Sequence, residues 1–504
     1  MGHQDREIQK ELEKIIFTED VPAAYPEILG LVFLRYICAA FEEHQIALRP
    51  DTKSPGGAPE SGDSGRETEN DGRFPGIFFI PARWDSIFPR DVPAPDTPAL
   101  FRSIAGVIRA IERENPLLRG MFPESLKRFS GRSLPVSADE NILYPAGQFL
   151  GDLSARETAG VFKYLLEKFE KSSEPDPLKD WRSSAAHKDR SRKTGSNLVP
   201  RCLAELAAHM LEPYQGRFYD PCCGSAPFLA GAADFVTSRQ GKLPDLSFYA
   251  QECHAESWRI AGMNLIVRGI DTADILLNPD GPLQRDRCRD LRFDFITACP
   301  PLQENSYSWI QYVLDRLSPT GLGAVVLPKS SLVSSREGDR ETRRALVDGR
   351  LVDCVVNLPP LIPGFPSPCL WFFSRAKAGR GRRADELLFI DARHLGRGQN
   401  RRHWEFSGED IGRIARTYHN WRFPKASPYR DIRQFAVSVH MAQVREERYN
   451  LNPALYLGIS ETGEDTGRGT RFAALRAEFE DLLREESRLN RQLVENLRKI
   501  KFED

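Results

Sequence analysis

Acidic residues end two short apolar segments of the chain, in a pattern that could bind a ligand containing a ribose. Asp220 ends the first segment and is followed by a turn of small residues that includes Gly224 and Ser225. Glu252 ends the second segment. Open α/β sheets bind ligands at the carboxyl ends of their strands, where a carboxylate can accept hydrogen bonds from the hydroxyls of a ribose. We therefore expect these four residues to form a ligand site.

Two further groups could complete such a site. Asp280, in the turn Asn278–Gly281, could meet an adenine amino group, and an ordinary turn aspartate would give the same pattern. Cys299 and the two prolines after it follow a third apolar segment. Glu252 lies 32 residues beyond Asp220. The dinucleotide-binding fingerprint has a spacing of about 20 residues, so a plain NAD site fits poorly.

From about residue 203 onwards, apolar segments of strand length alternate with helical segments. This alternation is typical of an α/β fold with a doubly wound, parallel sheet. The predicted strands are 217–220, 246–252, 293–297, 324–327, 351–358 and 369–373. Beyond residue 391 the pattern becomes weaker.

The region before this sheet is predicted to be mostly helical. Helical patterns of apolar residues occur near 6–48, 100–114 and 158–171. Residues 51–74 are rich in Gly, Pro, Ser and Glu, which indicates a flexible surface insertion. The first 175 residues are therefore expected to form a separate helical domain.

Near the C-terminus, apolar residues repeat at heptad spacing along one seam of a predicted helix at 470–502. Because its flanks are charged and little else is left to pack on, the seam favours a partner helix, and a helix folded back on its own domain is the alternative. The seam residues are Phe472, Leu475, Phe479, Leu482, Leu489, Leu493 and Ile500. The chain thus divides into a helical domain at 1–175, a sheet domain at 176–440 and a C-terminal segment at 441–504.

Composition and charge narrow the function classes. The 504-residue chain has a formal net charge of −1, so contact with nucleic acid must come from local patches or from a partner. The basic tract 179–193 fits a solvated linker better than a contact with a DNA backbone. Nine irregularly spaced cysteines without a C-x-x-C pair favour reduced thiols in the cytoplasm over disulfides or a metal site. The polar start of the chain predicts no signal peptide, and no apolar run approaches the roughly 20 residues of a membrane span.

Three motifs resemble those of one enzyme family. Asp220–Leu229 resembles D-P-x-x-G-S-G-x-F-L, Ala250–Glu252 resembles G-Q-E, and Phe293–Leu302 resembles F-D-x-x-x-A-N-P-P-F. These are motifs of the γ-type adenine methyltransferases, and the chain is most similar to the modification (methylase) subunit of type I restriction–modification systems. The resemblance runs from about residue 8 to residue 500 and also includes the segment 446–457, which is similar to the family's N-x-Y-N-L-N region.

The resemblance implies a function and a set of roles. The chain would bind S-adenosyl-L-methionine and methylate the N6 amino group of an adenine that is flipped out of DNA. The residues at the cofactor-binding positions are Asp220, Gly224, Ser225, Glu252 and Asp280. The residues at the catalytic positions are Cys299, Pro300, Pro301 and Leu302. The implied partners are DNA, a DNA-specificity subunit that docks through 470–502, a second methylase copy and a nuclease subunit.

The sequence departs from the family pattern at ligand-facing positions. Cys299 replaces an asparagine whose oxygen accepts a hydrogen bond from the target amine, and a thiol is only a weak acceptor. Leu302 replaces an aromatic residue that stacks on the base, Ala226 replaces a glycine, and Gly195–Pro200 lacks an aromatic pair. Two explanations compete: a methylase with a modified pocket, and a catalytically inactive pseudo-methylase that serves as a DNA- or partner-binding scaffold. A third, weaker idea makes Cys299 a nucleophile, but no activating base is evident in the sequence.

Overall fold

The computed structural model describes residues 3–16, 25–47, 78–80, 84–89, 97–127, 143–171, 199–301, 304–362, 368–379, 381–398, 404–423 and 428–458. Five predicted features lie outside these ranges. They are the insertion at 51–74, the basic tract at 179–193, residues 195–198, Leu302 and the helix at 470–502. None of the described helices is long and apolar enough to cross a membrane.

The described part of the N-terminal region is helical. Its helices are α1 (His3–Ile16), α2 (Tyr25–Ala47), α3 (Trp84–Ile87), α4 (Thr97–Glu114), α5 (Glu124–Lys127), α6 (Leu143–Leu150) and α7 (Ala155–Lys171), with a 3₁₀ turn at Pro116–Leu118. Helix α2 is apolar around most of its circumference, and it is buried on several sides among the other helices. The buried Arg35 of α2 donates to the carbonyl oxygens of Leu150 and Leu153, which ties α2 to the end of α6.

The remainder of the described chain is built on a nine-stranded sheet. Its strands are β1 (Gly216–Asp220), β2 (Leu246–Glu252), β3 (Ile275–Leu277), β4 (Phe293–Ala298), β5 (Leu317–Pro328), β6 (Val352–Asn357), β7 (Pro368–Ser374), β8 (Glu386–Asp391) and β11 (Ala436–His440). The spatial order is β11-β8-β6-β7-β5-β4-β1-β2-β3, and β9 (Arg397–Gly398) and β10 (Trp404–Glu405) form a separate two-stranded sheet. The order of strands reverses direction along the chain between β1 and β4, and this reversal opens a crevice at their carboxyl ends.

Helices cover both faces of this sheet. They are α8 (Arg201–Leu211), α9 (Pro227–Ser238), α10 (Ala255–Ile266), α11 (Ser306–Arg316), α12 (Ser330–Val333), α13 (Glu337–Asp348), α14 (Gly408–Arg422), α15 (Met441–Glu446) and α16 (Pro453–Tyr456). Short 3₁₀ turns occur at Leu243–Asp245, Lys377–Gly379 and Gly381–Asp385. Strands β6 and β7 are buried at every residue, as expected for strands covered on both faces. The predicted α/β fold is therefore confirmed.

The expectation of a parallel sheet is wrong for two strands. β7 runs antiparallel to both β5 and β6, and β11 runs antiparallel to β8. Only ten residues, 358–367, separate β6 from β7. A parallel crossover needs a dozen residues or more, so this connection is too short for one and the strand returns antiparallel. Helix α14 and strand β11 lie beyond residue 391, where the sequence pattern was too weak to predict them.

The segment 449–457 is anchored to the sheet layer. The buried guanidinium of Arg343 donates to the Tyr449 carbonyl oxygen at 2.9 Å and to the Tyr307 hydroxyl at 2.6 Å. The Asn357 side chain at the end of β6 donates to Asn452 Oδ1 at 3.2 Å. The chain therefore reaches residue 458 from a fixed position on the sheet. The predicted domain boundary at 175/176 lies outside the described residues, and the one at 440/441 falls between β11 and α15; both stay predictions.

Candidate active site at the carboxyl ends of β1, β2 and β4

Asp220 lies at the carboxyl end of β1 and is almost completely buried. Its Oδ1 accepts a hydrogen bond from the Cys222 backbone N–H at 3.0 Å. Burial raises the pKa of this carboxyl to about 8, and the negative charge of Glu252 acts in the same direction. A cationic ligand beside Asp220 would therefore lower this pKa, because it favours the charged form of the carboxyl.

Glu252 connects the loop after β1 with the end of β2. Its Oε2 accepts a hydrogen bond from the Gly224 N–H and its Oε1 accepts one from the His254 N–H, both at 2.8 Å. Gly224 adopts a positive φ of 56°, which glycine allows without strain. A Cβ placed on Gly224 would meet no atom within 4 Å, so the space beside this turn is open. The structure thus brings Asp220, Gly224 and Glu252 together around a concave backbone turn.

The small-residue turn continues into the N-terminus of α9. The Ser225 carbonyl oxygen accepts a hydrogen bond from Asn264 Nδ2 at 2.8 Å, which fixes the turn against α10. Ala226, which stands where the family has glycine, is buried and has a positive φ of 63°. For a residue with a Cβ, this left-handed conformation costs about 1–2 kcal/mol.

Asp280 lies on the rim of the site. Its loop begins at Asn278, whose N–H donates to the Glu252 carbonyl oxygen at 2.7 Å. The Asp280 carboxylate is more than half exposed and lies 3.7 Å from Arg285 Nη1. The structure therefore places Asp280 beside Glu252 along the backbone, on an accessible loop.

Cys299 follows β4 and faces the loop after β1. The Cys299 backbone amide is hydrogen-bonded to the Cys222 sulfur, while burial and the charge of Asp220 raise the pKa of the Cys222 thiol. Cys299 and Pro300 are buried, and Pro301 is half-buried. Cys299 and Pro300, which are proposed for the target base, thus lie next to the loop after β1, which carries residues proposed for the cofactor.

A polar cluster behind the site was not predicted from the sequence. The buried Gln251 side chain is hydrogen-bonded to Tyr219, Asn278 and Asp286, and Asp286 forms an ion pair with Arg316 at 2.6 Å. A signal was present in the sequence, because a glutamine near the end of a largely apolar strand is expected to have buried hydrogen-bond partners. The partners themselves are distant in sequence and carry no local pattern.

Two other features of the described residues resemble ligand sites, a group of potential metal ligands and a cavity. Among the described residues, Glu252, Cys253 and His254 are a group whose potential metal-ligand atoms lie within 4.8 Å of one another. Both oxygens of Glu252 already accept backbone hydrogen bonds. A cavity of about 1110 Å³ lies among α1, α2, α7 and the residues after α10, and none of the predicted site residues lines it.

The sheet order, with an antiparallel β7 between β5 and β6 and acids at the ends of β1 and β2, defines the class of α/β methyltransferases that depend on S-adenosylmethionine. The family model described as "N-6 DNA Methylase" matches residues 183–308 and 284–465. The chain belongs to this family.

Curated relatives and solved structures agree with this assignment. The chain is 29% identical over 426 residues to the type I restriction enzyme HindI methylase subunit of Haemophilus influenzae, which covers 77% of this chain and 89% of that protein. It is 22% identical to the MjaIX methylase subunit of Methanocaldococcus jannaschii, over 94% of this chain and 87% of that protein. The type I methyltransferase subunit from Streptococcus thermophilus has a similar structure, with a TM-score of 0.65, 16% identity and coverage of 89% and 98% of the two chains. The predicted resemblance to type I methylase subunits is confirmed.

The strained Ala226 leads to a stability prediction. Ala226→Gly removes the left-handed strain and a buried methyl group together, so we expect the free energy of unfolding to change by less than about 1 kcal/mol. Ala232→Gly, in the interior of α9, is the matched control. It removes an equally buried methyl without relief of strain and should lower stability by about 1–2 kcal/mol. Denaturant unfolding of both variants checks this, and equal losses would contradict the strain at Ala226.

Proposed function

We propose that this chain is the methylase subunit of a type I-like restriction–modification system and methylates the N6 amino group of adenine in DNA. The observation that carries the proposal is the Glu252 carboxylate held against the Gly224 amide, beside Asp220 and Cys299, at the crevice of an N-6 DNA methylase fold. The pseudo-methylase alternative is not favoured by the family match or by the relatives, which are named as methylase subunits.

The residues of the crevice fit S-adenosyl-L-methionine. The open space beside Gly224 leaves room for a ligand against the backbone. We assign the ribose hydroxyls to Glu252, the adenine amino group to Asp280, and the positive charge of the methionine part to Asp220. When bound, the cofactor supplies an electrophilic methyl group. Asp220 contributes a carboxylate in a low-dielectric position, where its attraction to a cation is strong.

The target side of the pocket is assigned to Cys299, Pro300, Pro301 and Leu302. Cys299 and Pro300 are buried at the end of β4, so a base amine that enters there is removed from water. Backbone carbonyl oxygens are better acceptors than a thiol, and we assign the hydrogen bond from the amine mainly to the backbone at this turn. Leu302 would offer apolar contact in place of aromatic stacking.

The proposed partners are DNA, a DNA-specificity subunit, a second methylase copy and a nuclease subunit. A solved structure similar to this chain over 99% of both chains, with a TM-score of 0.62 and 17% identity, comes from a study of complex assembly in a type I system. We propose that the specificity subunit docks on the predicted helix at 470–502. The anchored segment 449–457 supports this, because its hydrogen bonds hold the chain against the sheet shortly before the proposed docking segment begins.

Asp220 makes cofactor binding depend on pH. Its pKa of about 8 in the free chain means that a cationic ligand must displace a proton below that pH. We expect the affinity for S-adenosylmethionine to rise between pH 6 and pH 8, by up to about tenfold per pH unit. In Asp220→Asn, whose carboxamide keeps the acceptor for Cys222, affinity should be lower and should depend much less on pH. Calorimetric titration at pH 6, 7 and 8 measures this, and equal affinities of the unsubstituted chain at pH 6 and pH 8 would refute the role of Asp220.

The proposed function is tested by transfer of a labelled methyl group to DNA in the presence of the specificity subunit. Label should appear on adenine N6, and Cys299→Asn should increase the rate at least about tenfold, because the carboxamide adds a strong acceptor for the reacting amine. Cys202→Asn, also a buried cysteine but on α8, is the control for general effects of the substitution. A chain that binds cofactor and partner but labels no DNA, with or without Cys299→Asn, would establish the scaffold alternative.

The docking assignment predicts the effect of a truncation. Deletion of 470–504 should abolish the complex with the specificity subunit on size-exclusion chromatography, because it removes the whole apolar seam. Deletion of 501–504, which leaves the seam intact, is the matched control. A complex that survives the longer deletion would show that the partner binds elsewhere.

A further inference from the structure

Gln251 is a completely buried amide whose hydrogen-bonding capacity is fully used. Its Oε1 accepts from Asn278 Nδ2 at 2.6 Å and from the Arg287 N–H at 3.3 Å. Its Nε2 donates to the Tyr219 hydroxyl at 2.6 Å and to Asp286 Oδ1 at 3.1 Å. A carboxamide can make four such bonds, and burial makes each of them costly to lose.

The two bonds that Gln251 Oε1 accepts come from Asn278, which starts the loop that carries Asp280, and from Arg287, which lies just beyond the end of that loop. Asn278 Nδ2 donates its second hydrogen to the Arg285 carbonyl oxygen at 2.7 Å, and the Asn278 carbonyl oxygen accepts from the Gly281 N–H at 2.9 Å. Asn278 therefore closes the loop 278–285 from inside. Because Asn278 itself is held by Gln251, the position of Asp280 depends on that glutamine.

The two bonds that Gln251 Nε2 donates lead to α11, the helix that follows the residues assigned to the target base. Asp286 Oδ2 pairs with the half-buried Arg316 at 2.6 Å, and the Tyr219 hydroxyl lies 2.8 Å from the Tyr312 hydroxyl. Both partners belong to α11, which begins directly after residues 299–305. Gln251 thus contacts β1 and the loop 278–285 directly, and it reaches α11 through one intermediate residue on each path.

Successive residues of a strand point to opposite faces, so Gln251 and Glu252 act on opposite sides of β2. Glu252 holds the loop after β1, and Gln251 holds the loop after β3. We propose that Gln251 is a positioning residue that sets the loop 278–285, and with it Asp280, at the distance from Glu252 that the adenosine part of the cofactor requires. This inference rests on the proposed function, since it needs the cofactor to bind between these two acids.

The test is a double-substitution cycle on the full-length chain, with binding of S-adenosylhomocysteine measured by calorimetry. Gln251→Leu leaves one of the two hydrogens of the buried Asn278 amide without its acceptor and should weaken binding at least about tenfold. Asp280→Ala should weaken it as well. If Gln251 acts through Asp280, the double variant should bind no more weakly than the weaker single variant. Gln311→Leu, the same change at an exposed glutamine of α11, should bind like the unsubstituted chain.

A second variant covers the case in which Gln251→Leu does not fold. Gln251→Glu has the same shape, and its carboxyl is a donor only when protonated. When this carboxyl is ionised, it can no longer donate to the neighbouring Asp286. The affinity of Gln251→Glu for S-adenosylhomocysteine, divided by that of the unsubstituted chain, should therefore be lower at pH 8 than at pH 6. A general structural defect would lower this affinity ratio equally at both pH values. An equal loss at pH 6 and pH 8 would therefore overturn the positioning role.

The outcomes separate the two proposals. Losses from Gln251 and Asp280 that multiply in the double variant would overturn the positioning role and leave the cofactor site standing. Unchanged affinity of Gln251→Leu would do the same. If the unsubstituted chain binds no S-adenosylhomocysteine, both proposals fail together.

Discussion

The carboxylate of Glu252 accepts hydrogen bonds from two backbone amides that belong to different segments of the chain. One amide belongs to the turn after β1, and the other lies at the start of α10. A single acid therefore sets the spacing between the ends of the first two strands, and the pocket exists because that spacing is held. The reversal of strand order between β1 and β4 creates the crevice. Glu252 fixes the backbone turns that border it.

Much of this arrangement could be predicted because it is local in sequence. Strand β2 was predicted with its observed bounds, and the acids at strand ends mark the edge where ligands bind. The direction of β7 could not be predicted from hydrophobicity, because buried parallel and buried antiparallel strands have the same apolar pattern. Helix α14 follows a region where alternation is interrupted by the small β9–β10 sheet. The partners of Gln251 stayed hidden because a buried amide does not specify which distant polar groups satisfy it.

The two departures expected from the resemblance that lie among the described residues share a physical character. Ala226 and Cys299 are both buried and belong to the same apolar cluster, as does Cys223 in the turn after β1. The inner wall of the crevice therefore carries small side chains in an apolar cluster at these positions. Such a wall excludes water well and contributes few hydrogen bonds of its own. The orientation of a ligand in the crevice therefore depends on the backbone and on the acids beside this wall.

Helix α10 belongs to two hydrophobic cores. Ile260, Met263 and Ile266 complete the cluster formed by the N-terminal helices, while Ala261 and Leu265 pack in the cluster under the sheet. During synthesis, the N-terminal helices leave the ribosome long before this surface exists. Their core stays incomplete until the chain has been made beyond residue 267, so the first part of the protein to be translated is not the first that can finish folding.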